Sequence, residues 1–222
     1  MKSTFNPVEM AGPISTRVES PYLTILLDTL DSHLRYQQCP VGKRITISAA
    51  HQPDCYIIRK GALSLYRQPD DILIELIELI EAPTLRGIIP VHESSRSIHI
   101  LRVIEPAEIA TLNKEDLYAL LTEHNLWEPY ARHLQLIASM AAEVLFKLVS
   151  PTVFEQVRYQ LFELMSKPQT LRESITAENY IRGKTRLSRS AVMNVLSALK
   201  AGGYITILNG HLKEIKHIPA QF

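Results

Sequence analysis

The sequence predicts an α+β chain in three successive parts: a strand-rich N-terminal domain, one long helix, and a small C-terminal domain of helices followed by a hairpin. Three observations lead to this prediction. Short β-branched runs separated by turn residues fill residues 40–112. A heptad pattern of apolar residues runs through residues 127–148. Residues 150–222 contain helical patterns and then an Asn-Gly dipeptide between two alternating runs.

Charge is divided unevenly along the chain. The 222 residues carry a formal net charge of +1, which by itself argues against a nucleic-acid partner, and 46% apolar residues exclude wholesale disorder. Residues 150–222, however, hold ten Lys and Arg against five Asp and Glu, a net charge of +5, which leaves −4 for residues 1–149. An acidic part is therefore joined to a basic part, and the basic part points to a polyanionic partner.

The first 122 residues are predicted to form an arm and a strand-rich domain. Residues 1–20 are polar and show no period, so we expect a flexible arm. The domain at 21–122 opens with a helical stripe over residues 22–34. Six short runs then predict strands, which together favour a sandwich or barrel: 45–47, 56–58, 63–66, 72–80, 98–104 and 109–112. The run at 72–80 fits a helix or a strand, and its neighbours favour a strand.

Residues 123–149 are predicted to form one long helix. Apolar residues recur at alternating spacings of three and four, the a/d seam of three heptads: Trp127, Tyr130, Leu134, Ile137, Ala141, Val144 and Leu148. Such a seam packs either on the helix's own domain or on a second copy of the chain, and its regularity favours the dimer. Ser150-Pro151 ends the helix and begins the basic region.

Residues 150–222 show a succession of helices and a hairpin. Apolar spacing predicts helices over 153–165, 176–181 and 188–199, with Ser188 as the N-cap of the last. Asn209-Gly210 between two alternating runs predicts a β-hairpin. Helix, tight turn, second helix and hairpin are typical of a winged helix-turn-helix, whose second helix enters the DNA major groove.

Basic and polar side chains of this region are the candidate DNA contacts. They cluster around the turn, at the start of the second helix and on the hairpin: Arg182, Lys184, Arg186, Ser188, Arg189, Ser190, Asn194, His211 and Lys213. Arg189 and Asn194, with Met193, lie on or near the face opposite the apolar stripe, and they are the candidate base readers because Arg pairs bidentately with guanine and Asn with adenine. The other interpretation is a solvated basic surface on a small α/β domain.

The segment Leu187–Leu196, with a Ser-Arg pair followed by a small residue, Val and a hydrophobic pair, resembles the recognition helix of the CRP/FNR regulators. Pro40-Val41-Gly42 and Tyr56–Leu63 resemble that family's β-roll, and the resemblance covers residues 20–218. It implies a β-roll like those that bind cyclic nucleotides, a dimerisation helix and a winged helix. Within the family the chain most resembles a regulator of oxidative-stress genes, which implies a role in that response.

The effector site departs from the family pattern. Members that bind cyclic nucleotides carry a Gly-Glu element for the ribose hydroxyl and an Arg-Ser or Arg-Thr pair for the phosphate. Arg96-Ser97 stands where that pair is expected, as a degenerate pocket, but Gly87 is followed by Ile88, and a gapless alignment puts Arg86 in place of the carboxylate. We therefore expect no dependence on cyclic nucleotide and a structural or surface role for Arg96.

Other chemistry finds little support in the sequence. Cys39 and Cys55 are too few for a disulfide framework or a four-thiolate cluster. They are candidate redox sensors if the stress role holds, although a buried small apolar residue is the favoured interpretation. The eight histidines lack ligand spacing, and no catalytic or phosphate-loop motif is found, so we expect no metal, no cofactor and no enzyme activity.

These features predict a dimeric, sequence-specific transcriptional regulator of palindromic DNA sites. The expected partners are double-stranded DNA, a second copy of the chain and RNA polymerase. No apolar run reaches the length of a signal peptide core or a membrane span, so we expect a cytoplasmic protein. The alternative is a ligand-sensing or protein-binding module that has lost specific DNA binding, and salt-dependent binding to DNA would separate the two.

Overall fold

The computed structural model describes residues 20–47, 55–68, 75–86, 98–148 and 152–219. It divides into two compact units, one formed by Glu19–Leu145 and one that includes Phe146–Phe222. Strands dominate the first unit and helices the second, which confirms the predicted α+β class. The arm predicted at residues 1–20 lies outside the described residues, apart from Ser20.

Besides a short 3-10 helix at Asp31–His33, the first unit has three α-helices and six strands among its described residues. In chain order these are α1 (Pro21–Leu30), β1 (Gln37–Cys39), β2 (Arg44–Ile47), β3 (Cys55–Gln68), β4 (Glu75–Glu81), β5 (Thr84–Arg86), β6 (Ile98–Leu112), α2 (Lys114–Glu123) and α3 (Trp127–Leu148). The last residues of α3 belong to the second unit. The strand predicted over 72–80 is confirmed from residue 75 as β4, and residues 72–74 lie outside the described residues.

Two long strands organise the sheet. β6 pairs antiparallel with β1, β2 and β3, and β3 also pairs with β4 and β5. Strands predicted as separate runs are continuous here: 56–58 and 63–66 merge into β3, and 98–104 and 109–112 merge into β6. The prediction that turn residues separate these runs is therefore wrong.

The reason lies where Gly61 meets β6. The register shifts on both sides of Gly61, which marks a bulge, and the backbone there adopts φ +93°. A Cβ at this position would stand 2.5 Å from the carbonyl oxygen of Pro106. Gly and Pro are common in turns, but here Gly61 and Pro106 lie opposite each other within one pair of strands. They make the strand pairing irregular at this point without ending either strand.

Alternate residues of β3 supply two separate cores. Cys55 and Ile57 pack with apolar residues of α1, α2 and α3, while Tyr56 and Ile58 pack between the strands. The first turns of α3 join the helical core through Tyr130, and burial raises the pKa of that phenol. The N-terminal half of α3 is therefore anchored to the first unit.

The second unit consists of helices followed by a hairpin. Its elements are α4 (Val153–Met165), α5 (Gln169–Glu173), α6 (Ala177–Lys184), α7 (Arg189–Ala201), β7 (Ile205–Leu208) and β8 (His211–Ile215). The bounds predicted for α4 are confirmed, whereas α6 is longer than predicted and the short α5 was not predicted. Asn209 and Gly210 both have positive φ, 51° and 82°, as the predicted two-residue hairpin turn requires.

Candidate nucleic-acid interface

Two helices and the turn between them form a helix-turn-helix in the second unit. α6 follows its predicted N-cap, Thr176, and α7 follows Ser188, whose Oγ accepts a hydrogen bond from the N–H of Ala191 at 3.2 Å. In the turn the buried Thr185 hydroxyl donates to the carbonyl of Ile181 at 2.7 Å. These side chains satisfy backbone groups at the helix ends and so fix the residue at which α7 begins.

α7 has one buried side and one exposed side. Its buried residues, Val192, Leu196 and Leu199, hold it in the core of the second unit. The exposed side carries the residues that the sequence singled out there: Arg189, Ser190, Met193 and Asn194. The structure therefore brings both predicted base readers, Arg189 and Asn194, to the solvent side of one helix, within its first two turns.

The Arg189 guanidinium meets a carboxylate of the preceding helix. Its Nε lies 3.2 Å from Oε1 of Glu178 on α6, although the Arg189 side chain remains 72% exposed. The same oxygen accepts a hydrogen bond from Nη1 of Arg182 at 3.0 Å. Glu178 was not among the predicted site residues. The sequence does show its i,i+4 spacing to Arg182, which is a usual signal for a helical ion pair.

Lys184 lies in the interior of the second unit. Because α6 extends to residue 184, Lys184 belongs to the last helical turn and not to the loop between helices. Its Nζ stands 2.6 Å from Oε1 of Glu163 on α4, and the two side chains are only 8% and 5% exposed. To contact a phosphate, as predicted, the Lys184 ammonium would have to leave this buried carboxylate.

The two hairpin candidates are fastened to the helices beside them. Lys213 forms an ion pair with Glu173 of α5, and its ammonium holds the pKa of that carboxyl below its usual range. Nδ1 of His211 lies 3.0 Å from the carbonyl oxygen of Ile175. These contacts attach the hairpin to α5 and to the segment that leads into α6, and they give both residues a structural role in addition to the DNA contacts predicted for them.

The remaining candidates lie in and after the turn. Arg186 is exposed, and among the described residues no carboxylate forms an ion pair with it. The hydroxyl of Ser188 is the cap of α7 and also lies 3.0 Å from Oγ of Ser190, which is exposed. Arg186 and Ser190 are therefore presented to solvent, whereas Ser188 serves the backbone of the helix.

The predicted dimer seam on α3 has two parts. Tyr130 is buried in the core of the first unit and Leu134 packs against it, while the indole N–H of the half-exposed Trp127 donates to Thr122 of the same chain. Ile137 is half-buried, Ala141 is exposed, and the side chains of Val144 and Leu148 lie outside the described residues. The beginning of the seam packs on its own unit, and a dimer contact along the remainder stays a prediction.

The predicted effector and sensor residues give no assembled site. Arg96 and Ser97 lie outside the described residues, and Arg86 pairs with Glu78 at 2.7 Å. Cys39 and Cys55 are buried in the two different cores of the first unit. The part of the chain that the structure describes contains no group of three metal-ligating His, Cys, Asp or Glu side chains. No described helix has the length and apolarity to cross a membrane.

The architecture and the second unit both match known proteins. The family model described as winged helix-turn-helix DNA binding matches residues 153–220. The c-di-GMP responsive global regulator CLP of Xanthomonas campestris is similar in structure, with a TM-score of 0.63, 16% identity, and coverage of 87% of this chain and 100% of that chain. A regulator of the crp/fnr family from Eubacterium rectale has a TM-score of 0.61, 12% identity, and coverage of 87% and 90%.

The sheet, the long helix and the C-terminal domain thus define a CRP/FNR-like fold with a winged helix-turn-helix DNA-binding domain, as the sequence predicted. Among individual proteins, the chain is similar to the inhibitor of hydrogen peroxide resistance of Escherichia coli. The two are 27% identical over 175 residues, which cover 79% of this chain and 83% of that protein. The resemblance predicted from the sequence is confirmed.

Proposed function

We propose that the chain is a sequence-specific transcriptional regulator that binds a palindromic DNA site as a homodimer. The observation that carries the proposal is the exposed side of α7, where Arg189, Ser190 and Asn194 stand at the start of the second helix of a helix-turn-helix. In such motifs the N-terminal residues of this helix reach base edges in the major groove. The guanidinium suits guanine and the carboxamide suits adenine.

The dimer is supported by the apolar residues that continue along α3 past the core of the first unit, from Ile137 to Leu148. Two paired α3 helices would present two recognition helices to half-sites about one helical turn apart. RNA polymerase is a further proposed partner, which the chain would contact if it activates transcription. We propose that these contacts do not depend on cyclic nucleotide, because Ile88 follows Gly87 where a ribose-binding carboxylate would be needed.

The biological role is proposed from the similar protein alone. That relative is named for inhibition of resistance to hydrogen peroxide. We propose that this chain controls genes of the oxidative-stress response. Direct sensing by Cys39 or Cys55 is not part of the proposal, because both thiols are buried among apolar side chains, where an oxidant has poor access to them.

The test begins with selection of bound duplexes from a random DNA library by the full chain. Binding to the selected duplex is then measured by fluorescence anisotropy for the wild type, Arg189→Glu and Lys216→Glu. We expect the Arg189 variant to lose at least about 100-fold in specific affinity, since one bidentate base contact is replaced by a repelled carboxylate. Lys216→Glu makes the same change of charge beyond the end of β8, away from the hairpin turn, and this variant should weaken binding much less.

The same complex tests the homodimer. Its molar mass, measured by analytical ultracentrifugation, should correspond to two chains on one duplex. One chain per duplex would contradict the dimer, and an unchanged affinity for Arg189→Glu would contradict the interface.

The alternative function, a module without specific DNA binding, is favoured by the carboxylates that engage Arg182, Lys184 and Lys213. It would give no enriched sequence and an affinity almost independent of salt.

A further inference from the structure

Glu178 joins the two helices of the helix-turn-helix through one oxygen atom. Oε1 accepts a hydrogen bond from Arg182 of its own helix at 3.0 Å and forms an ion pair with Nε of Arg189, the first residue of α7, at 3.2 Å. Glu178 is only 18% exposed, whereas Arg189 is 72% exposed. A largely covered carboxylate therefore holds the inner end of a guanidinium that otherwise extends into solvent.

We propose that Glu178 is a positioning residue for DNA recognition, which orients Arg189 for a guanine without touching the DNA itself. This inference rests on the proposed function. The nitrogen of Arg189 closest to the carboxylate is Nε, at 3.2 Å, so the two terminal nitrogens lie farther from it. A guanine presents two acceptors, O6 and N7, in the major groove, and the terminal pair of a guanidinium matches them bidentately. The carboxylate thus leaves in place the donors that base recognition uses.

The benefit to recognition is conformational. An exposed Arg samples many rotamers, and binding must confine it to one of them. When Glu178 restricts the guanidinium before DNA arrives, part of that entropic cost is already met in the free protein. The planar guanidinium makes this effective, because fixing Nε also fixes the plane in which the terminal nitrogens lie.

Arg182 completes the arrangement from the other side. Alone, a carboxylate between α6 and α7 would repel the phosphates of an approaching duplex. With Arg182 and Arg189 both bound to it, the group of three carries a net charge of +1, which remains attractive to DNA. Arg182 also fixes the Glu178 oxygen at the first turn of α6, because the two residues are one helical turn apart.

A simpler account makes the opposite prediction. If Glu178 only competes with DNA for Arg189, its removal frees a cation and tightens binding to every duplex alike. If Glu178 positions Arg189, its removal weakens binding to the cognate duplex relative to other duplexes. The ratio of the two affinities therefore separates positioning from competition, whereas the cognate affinity alone would mix the two effects.

The experiment measures that ratio in the full-length chain. The dissociation constant is determined for the selected duplex and for duplexes in which each G·C pair in turn is exchanged for A·T, with wild type and Glu178→Gln. We expect discrimination at one guanine to fall about 3- to 10-fold in the variant, the cost of ordering one long side chain. The matched control, Glu214→Gln, removes the same charge from an exposed site on β8 and should leave the ratio unchanged.

Two further variants make the outcome decisive. Glu178→Asp keeps the charge but shortens the side chain, so it should lower discrimination without changing affinity for unrelated DNA, and it serves if the Gln variant fails to fold. Arg189→Ala should abolish discrimination at the same guanine, and Glu178→Gln should then have no further effect on it. Thermal unfolding of each variant confirms that the domain is intact.

The possible results separate this inference from the proposed function. If Arg189→Ala abolishes discrimination while both Glu178 variants retain it, positioning is wrong and the DNA interface stands. If Glu178→Gln tightens cognate and unrelated duplexes equally, the carboxylate is a competitor and positioning is again overturned. If Arg189→Ala retains full discrimination, the assignment of the base reader itself fails. Loss of the ratio in both Glu178 variants, absent in Glu214→Gln, supports the proposal.

Discussion

In the first unit the two cations beside Gly61 on β3 join neighbouring elements, whereas in the second unit two arginines are left on the solvent side of the helix-turn-helix. Arg59 of β3 pairs with Asp31 at 3.1 Å and with Glu108 of β6 at 2.6 Å, and the adjacent Lys60 pairs with the same Glu108 at 3.0 Å. The second unit keeps Arg186 and Arg189 exposed at the start of α7. Similar residue types therefore serve cohesion around Gly61 and presentation near the start of α7.

This difference shows what a net charge can and cannot reveal. The value of +5 for residues 150–222 points correctly to the DNA-binding unit, but it counts Lys184 equally with Arg189. Lys184 is 8% exposed and holds α6 to α4 through Glu163, as the cations of the roll hold its strands. Burial decides which cations can act on a polyanion, and a sum of charges contains no information about burial.

The largest effect is expected where a charge pair is most deeply buried. Lys184→Met leaves Glu163 without its partner in the core of the second unit, which should lower the free energy of unfolding by about 3–5 kcal/mol. Urea unfolding is followed by far-UV circular dichroism, which sums the helices of both units, and the loss is measured on the transition that Trp127 fluorescence does not share. Trp127, the single tryptophan of the chain, reports on the first unit, so its fluorescence transition should not move.

An exposed pair provides the control for Lys184. Arg132→Met breaks the pair with Glu128 on α3, in which both side chains are more than half exposed, and should cost at most about 1 kcal/mol. Replacing both partners of the buried pair, Lys184→Met with Glu163→Leu, should recover most of the stability lost by Lys184→Met alone. Equal costs for the buried and the exposed single variants would contradict the distinction between the two kinds of pair.

The next largest effect is expected at the bulge around Gly61, which lies within the long strand pair of β3 and β6. Gly61→Ala places a Cβ 2.5 Å from the Pro106 carbonyl oxygen, at a φ of +93°. Gly42→Ala meets a similar φ of +85° with nothing within 4 Å, so it isolates the backbone strain from the clash. We expect Gly61→Ala to cost about 1–3 kcal/mol more than Gly42→Ala, measured by the Trp127 fluorescence transition in urea. Equal costs would mean that the ladder relaxes around the new methyl group.

Local patterns predicted the winged helix more accurately than the roll. The helix over 153–165, the N-cap at Ser188 and the turn at Asn209-Gly210 each depend on residues within one or two turns of chain, and the structure has all of them. In the roll, Gly61 and Pro106 look like chain reversals when taken alone. Their actual arrangement depends on pairing between strands 45 residues apart in sequence, which no local signal contains.

In the candidate site too, local sequence patterns predicted positions along one helix but not contacts between helices. Spacing along α7 was sufficient to place Arg189, Ser190 and Asn194 on its exposed side, because a helical period and an apolar stripe determine that side. The same information could not show that Lys184 faces Glu163, since the side of α6 that is covered depends on the position of α4. The contact between Glu178 and Arg189 likewise joins two helices whose relative placement only the folded domain determines.

The smallest expected effects are on the dependence of stability on acidic pH, which can be measured for each unit separately. Hydrogen bonds from Arg59 and then Lys60 lower the pKa of Glu108 from 4.5 to about 2. Because the pKa is lower in the folded state, the ionised carboxylate stabilises the roll fully above pH 4.5, and this contribution is lost as the pH falls from 4.5 toward 2. Glu108→Gln should therefore flatten the pH dependence of the roll's stability in that range, as reported by Trp127 fluorescence in urea.

Glu173 gives the counterpart in the winged helix, where the ion pair with Lys213 also lowers the pKa of the carboxyl. Glu173→Gln should flatten the acid dependence of the circular dichroism transition of the second unit while the Trp127 transition keeps its wild-type slope. The two variants thus act as controls for each other. A change in both transitions from either substitution would mean that the acid response belongs to the whole molecule. If each substitution changes only the transition of its own unit, each carboxylate stabilises only that unit. This is the result expected for two compact units with separate cores.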